Sequence, residues 1–509
     1  MTTRQIKKIL IANRGEIALR VLRTCHEMGI PVVTVYSEAD RESLAVRLAD
    51  EAVCIGPAPP AESYLDQDKI IAAAWACGAD AIHPGYGFLS ENPEFAARCE
   101  QEDIIFIGPS AESIRNMGDK LAARKTMADA GVPLIPGTMS PVASFEHLQV
   151  QADMIGFPVM IKAVGGGGGK GIKIVHNPED LKEAYDRATG EAMTAVGNAD
   201  VYLEKYFDTA RHIEIQVLGD MHGNGVHLGE RECSLQRRHQ KVMEETPSPF
   251  VDKELRQEMG MTAVRAVEEI GYRSSGTFEF LVDDKKKFYF LEMNTRLQVE
   301  HTVTEMCTGI DLVKEQIRIA QGEPLGYKSE DVRARGWSIQ ARINSEDPDN
   351  NFAPSVGKIT EINFPGGQNV RFDSLLYPGV EVTPYYDSMI GKLVVWADNR
   401  QLAITRLELA LRQLQVQGVK TTIPLHQRIL ADVNFIEGDF HTNYLEKMIA
   451  EQSGQISGEK TKIALLAAVA FAHNGRGAGQ LADISAVEGA SATESNWLRS
   501  GRQALTRRL

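Results

Sequence analysis

The sequence has few of the features that mark secreted, zinc-finger or membrane proteins. Its six cysteines are scattered and form no CxxC pair, which argues against a disulfide framework and against structural zinc. The longest apolar run, Ile463–Ala472, is too short to span a bilayer. A strand is predicted from Lys8, which leaves no room for a signal peptide before it. We therefore expect a cytoplasmic protein without membrane contact.

An excess of basic residues is also missing. The formal net charge of -14 over 509 residues argues against non-specific nucleic-acid binding, although an acidic surface can still contain a local cationic site. The content of 43% hydrophobic and 24% charged residues is that of an ordinary globular protein. The length predicts about two to four domains.

The most informative stretch is Phe288–Glu305, FYFLEMNTRLQVEHTVTE. Polar residues occupy every second position, so in an extended backbone they would share one face: Glu292, Asn294, Arg296, Gln298 and Glu300. Gly276–Val282 predicts a preceding strand, and the turn Asp283–Lys287 would join the two strands in a hairpin. That pairing places Glu279 opposite Glu292.

Two facing carboxylates destabilise a sheet unless a cation lies between them, and Asn294 would supply a further oxygen ligand. The hairpin therefore predicts a Mg2+ site at Glu279, Glu292 and Asn294. The alternative is a solvent-facing strand with charges for solubility, but the interleaved Phe278, Phe280, Phe290 and Leu291 favour a covered sheet. A fully extended chain would separate Glu292 from Glu300 by roughly 26 Å, so we expect a bend after Asn294.

Lys7–Pro109 alternates short β-rich runs with amphipathic helical runs, which predicts a doubly wound parallel sheet. Asn13–Glu16 lies at a strand-to-helix turn, where helix amides could receive an anion or where the turn could serve only structural closure. His83–Gly87 forms a loop at another strand end.

Five consecutive glycines begin the run Gly165–Gly171, GGGGGKG, which follows a predicted strand Pro158–Lys162. Their amides could wrap phosphate oxygens at a hairpin tip, and the alternative is a plain flexible turn. The run is neither a Walker A loop nor the GxGxxG of a dinucleotide fold. The next predicted strand, Asp200–Phe207, could offer backbone groups to a base.

Gly229–Lys241 concentrates cationic side chains, namely Arg231, Arg237, Arg238, His239 and Lys241. In an acidic protein this cluster predicts a phosphate or bicarbonate site, because its charges need a compensating anion; the alternative is a solvated face. Gly336–Asn344 begins a later strand system that carries Arg342. Beyond a linker at Ser453–Glu459, Lys460–His473 predicts an apolar helix.

Taken in this order, the elements resemble the biotin carboxylase component of the biotin-dependent carboxylases, within the ATP-grasp superfamily. The resemblance extends from about Lys7 to Met448 and rests on LIANRGEIA, HPGYGFLSEN, KA followed by GGGGGKG, RHIEIQV, RECSLQRRHQK, FLEMNTRLQVEH and ARINSEDP. Lys170 and Val164 depart mildly from the family pattern, in which Arg and Ser are common there.

The resemblance implies an α/β and α+β multidomain protein with an ATP-grasp fold. It implies a doubly wound, Rossmann-like N-terminal domain over residues 1–118 and a helical connection over 119–137. A small lid with the glycine-rich loop would follow over 138–206, then a mixed catalytic and C-terminal domain over 207–448, and then the tail 449–509.

The resemblance also implies the roles of individual residues. ATP would be bound by Lys120, Lys162, Gly168, Gly169, Glu204, Lys205, Tyr206, Phe207, His212, Gln236, His239, Glu279 and Glu292. Mg2+ or Mn2+ would be held by Glu279, Glu292 and Asn294, and bicarbonate by Lys241, Arg296, Gln298 and Val299. Glu300 would be the general base, and Arg342 would lie against biotin.

The implied activity is carboxylation of biotin on a separate carrier protein, with ATP and bicarbonate, through carboxyphosphate. The chain contains no Met-Lys-Met biotinylation motif, so we expect one half-reaction only, with a biotin carboxyl carrier protein and a carboxyltransferase as partners and a homodimer within a larger complex. The final acceptor stays open between acyl-CoA and pyruvate. The alternatives are another ATP-grasp ligase and a catalytically silent scaffold, although Lys241, Arg296, Glu300 and Arg342 are all present.

Overall fold

The computed structural model describes residues 4–164, 172–196 and 199–451. Met1–Lys447 forms one compact unit, and the second unit, Met448–Leu509, is described only over residues 448–451. Gly168, Gly169, the predicted linker Ser453–Glu459 and the predicted helix Lys460–His473 lie outside the described residues. Within the described ranges, no helix has the length and apolar character needed to cross a bilayer.

The N-terminal part is a parallel sheet with helices between its strands. Its elements are β1 (Ile9–Ile11), α1 (Gly15–Glu27), β2 (Val32–Ser37), α2 (Leu44–Leu48), β3 (Glu51–Gly56), α3 (Gln67–Cys77), β4 (Ala81–His83), α4 (Pro93–Gln101), β5 (Ile105–Phe106) and α5 (Ala111–Gly118). The strand order is β3-β2-β1-β4-β5, and every pair is parallel. The central β1 is buried on both faces, as its apolar sequence requires. The predicted doubly wound sheet is confirmed.

The Asn13–Glu16 turn and the His83–Gly87 loop meet at the ends of β1 and β4. The Asn13 side-chain amide donates to the carbonyl oxygens of Pro84 at 2.7 Å and Tyr86 at 2.8 Å. Gly15 opens α1 with a φ of +66°, a conformation that side chains with a Cβ rarely adopt. Asn13 therefore closes the turn structurally, which was one of the two alternatives for this motif.

A small α+β segment follows α6 (Lys120–Asp129). It contains α7 (Phe145–Ile155), β6 (Val159–Ala163), β7 (Ile172–Val175), α8 (Leu181–Val196) and β8 (Val201–Lys205), with its sheet in the order β7-β6-β8. β6 and β7 pair antiparallel with Lys162 opposite Ile172, which confirms the hairpin predicted around the glycine run. The segment has an apolar cluster of its own, centred on Leu148, Ile161 and Leu203.

The next part of the chain forms an eight-stranded antiparallel sheet. Its first part is built from β9 (Arg211–Gly219), β10 (Gly225–Arg237), β11 (Gln240–Thr246), α9 (Lys253–Glu269), β12 (Ser274–Val282), β13 (Phe288–Asn294), α10 (His301–Thr308) and α11 (Leu312–Ala320). β13 ends at Asn294 and α10 begins at His301, so the predicted bend after Asn294 is confirmed.

The same sheet continues into the C-terminal part of the chain. The further elements are β14 (Trp337–Asn344), β15 (Glu346–Asp347), β16 (Ala353–Pro354), β17 (Gly357–Lys358), β18 (Glu361–Asn363), β19 (Val370–Ser374), β20 (Glu381–Val382), β21 (Met389–Ala397), α12 (Arg400–Gln413), β22 (Gln415–Gln417), α13 (Ile423–Ala431) and α14 (Val433–Glu437), followed by a helix over residues 444–451. The strand order is β13-β12-β9-β10-β11-β14-β21-β19. The strand system predicted to begin at Gly336–Asn344 thus completes the eight-stranded sheet.

Candidate active site

The site begins at the β12–β13 hairpin, where Glu279 lies directly opposite Glu292 as predicted. The Glu279 carboxylate is buried and accepts hydrogen bonds from Lys241 Nζ at 2.8 Å and Asn294 Nδ2 at 2.9 Å. His212 Nε2 lies 2.9 Å from its other oxygen. Burial opposes ionisation, but the positive charges of Lys241 and His212 outweigh it and hold the pKa of Glu279 well below its usual value.

The facing carboxylate of Glu292 is in the opposite electrostatic situation. The Glu292 side chain keeps contact with solvent, but loss of hydration in the cleft, and then the negative charge of Glu279, raise the pKa of Glu292. A divalent cation between the two carboxylates would relieve this repulsion. Asn294 lies beside them, but its amide nitrogen donates to Glu279 Oε1 and its amide oxygen accepts from Arg296 Nη2. The structure therefore brings the three predicted metal residues together, with the Asn294 oxygen directed at Arg296 and not at the carboxylates.

The bend after β13 carries Arg296 and Gln298. Arg296 donates from Nε to Glu91 Oε2 at 2.8 Å, from Nη2 to Asn294 Oδ1 at 3.0 Å and from Nη1 to Gln298 Oε1 at 2.9 Å. The amide nitrogen of the buried Gln298 lies 3.3 Å from Glu279 Oε1. These bonds fix the guanidinium and the Gln298 amide beside the carboxylate hairpin.

Lys241, on β11, is surrounded by three carboxylates. Its ammonium lies 2.6 Å from Glu214 Oε2, 2.8 Å from Glu279 Oε1 and 2.7 Å from Glu300 Oε1. Burial alone would lower the pKa of Lys241, but these negative charges raise it well above its usual value. Lys241 is therefore a permanent cation at the centre of the site.

Arg342, on the neighbouring strand β14, reaches the same carboxylate from its other side. Arg342 Nη2 lies 2.8 Å from Glu300 Oε2, and its Nε donates to Glu244 Oε1 at 2.5 Å. Glu300 is completely buried, yet Lys241 and Arg342 overcome the effect of burial and hold the pKa of Glu300 well below its usual value. Glu300 is thus ionised at neutral pH and can accept a proton.

The predicted cationic cluster of Gly229–Lys241 does not act as one unit. Arg231 is fully buried, where it pairs with Glu214 and donates to Gln216 Oε1 at 2.7 Å, so it is a structural residue of the sheet. Lys241 also has carboxylate partners of its own. An external anion is therefore not needed to balance Arg231 or Lys241, because Glu214 pairs with both of them and Glu279 and Glu300 also pair with Lys241.

The rest of the cluster lies at the β10–β11 turn. Arg237 stacks on Phe352 with its guanidinium carbon 3.8 Å from the ring centroid, and Arg238 Nη2 lies 3.3 Å from Asn351 Oδ1. His239 is exposed and has a φ of +63°.

Several of the predicted nucleotide residues form a second group in the small α+β segment. Lys162 Nζ lies 2.5 Å from Glu204 Oε2, and Glu204 Oε1 accepts from Arg124 at 2.7 Å. Lys205 donates to the carbonyl oxygens of Gly156 and Phe157, both at 2.9 Å, so its side chain is directed into that segment.

The two aromatic residues after Lys205 face different neighbours. The Tyr206 hydroxyl accepts from Asn443 Nδ2 at 3.3 Å. The Phe207 ring stacks on Tyr289 at a centroid distance of 5.1 Å.

His212, Gln236 and Lys120 connect the two groups. The buried Gln236 amide lies 2.5 Å from His212 Nδ1. Lys120 keeps contact with solvent, but partial loss of hydration, and then the positive charge of Lys162, lower the pKa of Lys120, whereas Glu292 and Glu204 oppose that shift. Lys120 therefore interacts electrostatically both with Lys162 and with the hairpin carboxylate Glu292.

A cavity of about 680 Å³ opens over the sheet. It is lined by ten of the predicted site residues: His212, His239, Lys241, Glu279, Glu292, Asn294, Arg296, Gln298, Val299 and Arg342. Among the residues that the structure describes, Lys120, Lys162, Glu204–Phe207, Gln236 and Glu300 do not line this cavity. Glu300 is nevertheless bonded to two residues that do.

Three functional carboxylates escaped the sequence interpretation: Glu91, Glu214 and Glu244. Glu214 and Glu244 are completely buried within strands, and each compensates a cation of the site. The signal in the sequence is a glutamate directly between apolar residues, as at Ile213–Glu214–Ile215, since a buried charge needs a partner. Glu91 gave no such signal, because it lies in a loop of the N-terminal part.

Comparisons with known proteins agree with this arrangement. Three family models match in succession: "Biotin carboxylase, N-terminal domain" over residues 5–114, "Carbamoyl-phosphate synthase L chain, ATP binding domain" over 119–328 and "Biotin carboxylase C-terminal domain" over 340–447. Biotin carboxylase 1 of Bacillus subtilis is 52% identical over 442 residues, which are 87% of this chain and 98% of the relative. This chain belongs to the biotin carboxylase family. Its ATP-grasp architecture is that of the family.

Solved structures from the biotin carboxylase family give the same result. The crystal structure of a biotin carboxylase–β-γ-ATP complex from Campylobacter jejuni superposes with a TM-score of 0.84 at 50% identity, covering 87% of this chain and 99% of the other. The Hydrogenobacter thermophilus 2-oxoglutarate carboxylase biotin carboxylase domain, a dimer with MgADP and bicarbonate, has a TM-score of 0.82 at 50% identity over 87% and 98% of the two chains.

Proposed function

We propose that this chain is an ATP-dependent ligase that carboxylates biotin on a separate carrier protein, with bicarbonate as the source of the carboxyl group. The observation that carries the proposal is the buried Glu300 carboxylate, held between Lys241 and Arg342 next to the cavity. Related structures are complexes with β-γ-ATP, or with MgADP and bicarbonate.

ATP binds between the lid and the sheet in this proposal. Lys120 and Lys162 bind its phosphates with the backbone of Gly168 and Gly169, and Glu204 to Phe207 frame the adenine. His212, Gln236 and His239 contact ribose and phosphates. Glu279, Glu292 and Asn294 would hold Mg2+ or Mn2+, which neutralises phosphate charge when bound.

Lys241, Arg296, Gln298 and the backbone of Val299 hold bicarbonate. Glu300 accepts the bicarbonate proton while the bicarbonate oxygen attacks the γ-phosphorus of ATP, the bond from that phosphorus to the bridging oxygen breaks, and ADP leaves. The product is carboxyphosphate. Lys241 and Arg296 supply fixed positive charge where the anions meet, in surroundings that exclude most water.

Carboxyphosphate then separates into CO2 and phosphate. The phosphate takes the N1′ proton of biotin, Arg342 stabilises the resulting enolate, and N1′ bonds to CO2. A closed lid over the site protects carboxyphosphate from hydrolysis. Arg342 suits this role because its guanidinium lines the cavity and is anchored by Glu244 and Glu300.

We also propose a biotin carboxyl carrier protein and a carboxyltransferase as partners, within a complex that contains a homodimer of this chain. Relatives of this chain carry the names of pyruvate carboxylase and 2-oxoglutarate carboxylase, so the final acceptor stays open.

The proposal includes the domain divisions 1–118, 119–137, 138–206 and 207–448. All six cysteines are free, which favours a reducing, cytoplasmic location.

The test is ADP formation by the purified chain with Mg-ATP and bicarbonate, measured with and without free biotin. We expect biotin to stimulate ADP formation and carboxybiotin to accumulate. Stimulation by ammonia in place of biotin would indicate another ATP-grasp ligase. No turnover with any acceptor, in a chain that still binds ATP, would indicate a silent scaffold.

A further inference from the structure

Lys392, on β21, lies behind the segment that carries Val299 and Glu300. Its side chain is completely buried, and its ammonium donates to the carbonyl oxygen of Val299 at 3.0 Å. The same ammonium lies 3.2 Å from Glu16 Oε1, at the start of α1. A side chain from the C-terminal part and one from the N-terminal part thus meet beneath the proposed bicarbonate segment.

Lys392 is also the cross-strand neighbour of Arg342. The two residues are directly opposite each other in the β14–β21 pair, so their side chains leave the sheet on the same face. Arg342 holds the Glu300 carboxylate, whereas Lys392 holds the carbonyl of the preceding residue. Two adjacent cations therefore hold two consecutive residues of one segment.

The counter-ion of Lys392 is itself constrained. Glu16 is buried and accepts a hydrogen bond from the Tyr86 hydroxyl, while its Oε2 has no hydrogen-bond partner among the described residues. Tyr86 also faces Lys392, whose ammonium lies 5.6 Å from the ring centroid. Both Glu16 and Tyr86 line the cavity.

A gain in folding stability does not explain why the Lys392–Glu16 ion pair is buried. Two charges taken out of water regain their desolvation cost only when their geometry and remaining hydrogen bonds are good, and apolar residues of similar volume are often as stabilising. Here one carboxylate oxygen is left without a partner among the described residues. What the pair supplies that an apolar residue could not is a donor to the Val299 carbonyl.

We propose that Lys392 is a positioning residue for the bicarbonate step, with Glu16 as its counter-ion. By holding the Val299 carbonyl, Lys392 fixes the peptide plane between Val299 and Glu300, because that plane is rigid. This contact sets the direction in which the Glu300 side chain leaves the backbone. It also sets the orientation of the backbone that faces bicarbonate. This inference rests on the proposed function, since it assumes that bicarbonate binds at this segment.

The test compares Lys392→Met, Lys392→Arg and Glu16→Gln with the wild-type chain. Bicarbonate-dependent ADP formation gives the KM for bicarbonate and kcat, and equilibrium titration gives the Kd for ATP. Arg256→Met is the matched control, because it removes the cation from another buried carboxylate of the sheet, Glu230, and neither residue lines the cavity. Thermal unfolding reports the folding of every variant.

We expect Lys392→Met to raise the KM for bicarbonate at least about tenfold and to lower kcat, with the Kd for ATP changed less than about twofold. Lys392→Arg should recover most of the loss, because a guanidinium can donate to the same carbonyl. Glu16→Gln should raise the KM for bicarbonate several-fold. The control should leave the KM for bicarbonate unchanged.

An unchanged KM for bicarbonate in a folded Lys392→Met chain would overturn the inference, and so would an equal loss of ATP affinity. If Lys392→Met does not fold, Glu16→Gln decides: a folded variant with wild-type kinetics overturns the inference. A wild-type chain without bicarbonate-dependent ADP formation would instead overturn the proposed function, and the role of Lys392 with it.

Discussion

Glu300 is bonded at both carboxylate oxygens, to Lys241 Nζ through Oε1 at 2.7 Å and to Arg342 Nη2 through Oε2 at 2.8 Å. Lys241 comes from β11 and Arg342 from β14, which are neighbours in the sheet. A carboxylate held between two cations is fully ionised and is a weak base, because both cations favour its charged form.

The first prediction concerns Glu300 itself. Glu300→Gln keeps the shape of the side chain but removes the charge and the proton acceptor, so we expect carboxylation of free biotin to fall at least about a hundredfold. ATP binding should be retained. The measurement is kcat for carboxybiotin formation, with the exposed Glu408→Gln as a control that should behave as wild type. Unchanged activity would remove Glu300 from the role of base.

The second prediction concerns acid stability at Asp220. This buried carboxylate accepts backbone N–H bonds from His222 at 2.8 Å, Asn224 at 3.0 Å and Leu325 at 3.1 Å. Burial opposes ionisation, but the bonds from Asn224, Leu325 and His222 prevail and lower the pKa of Asp220 in the folded chain.

Because the folded pKa of Asp220 is depressed, its stabilising contribution is present above the unfolded pKa of about 4 and is lost as pH falls towards the folded pKa. Asp220→Asn should lower the free energy of unfolding at pH 7 by about 1 kcal/mol and weaken its decrease below about pH 4. Urea unfolding across pH 3 to 7 gives both quantities. Parallel curves for the variant and the wild type would contradict the prediction.

The third prediction is that the purified chain carries no covalent biotin. The sequence contains no Met-Lys-Met acceptor motif, and in the proposed function biotin is carried by another protein. A streptavidin blot of the chain, expressed together with a biotin protein ligase, should show no band at 56.0 kDa, whereas a carrier protein in the same sample should give one. A band at the mass of this chain would contradict the prediction.

The fourth prediction concerns the lid. The β6–β7 hairpin has its own sheet and its own apolar cluster, so it can move as a body on the connection before α7. We expect amide hydrogen exchange of Gly165–Gly171 to slow when a non-hydrolysable ATP analogue binds. The exchange of β1, which is buried in a separate sheet, serves as the internal reference. Equal exchange with and without the nucleotide would leave the glycine run as a plain turn.

The fifth prediction concerns the tail, which lies beyond the last family match at residue 447. In the sequence, Ile463, Leu466, Ala467, Ala470 and Phe471 recur at helical spacing, and such an apolar stripe needs a surface to cover it. Truncation at Gln452 should preserve carboxylation of free biotin and weaken association with the carrier or the carboxyltransferase. Co-purification and free-biotin kinetics measure the two effects.

A truncated chain that misfolds, or that loses free-biotin activity, would indicate that the predicted helix packs on the catalytic body. That result would contradict the prediction that the tail binds a partner protein. The full-length chain, assayed in parallel at equal concentration, is the control for both measurements. Association that does not change on truncation would also contradict the prediction.

Local features of the site could be predicted from the sequence because neighbouring residues carry them. The pairing of Glu279 with Glu292 follows from two short strands and one turn, and the bend after Asn294 follows from the length of an extended chain. The parallel N-terminal sheet follows from alternating patterns of apolar residues. In each case the spacing along the chain limits the geometry.

The partners of the charges were decided only by the tertiary structure. Lys241 meets Glu214, Glu279 and Glu300 because β9, β10, β11 and β12 lie in an order that their sequence order does not reveal. Arg231 needs no external anion for the same reason, since Glu214 on the adjacent strand is its counter-ion. Lys392 and Glu16 are far apart in the sequence, and their side chains meet only in the folded chain. A sequence shows which charges must be compensated, but the strand order decides which residues compensate them, because electrostatic partners are selected by distance in space.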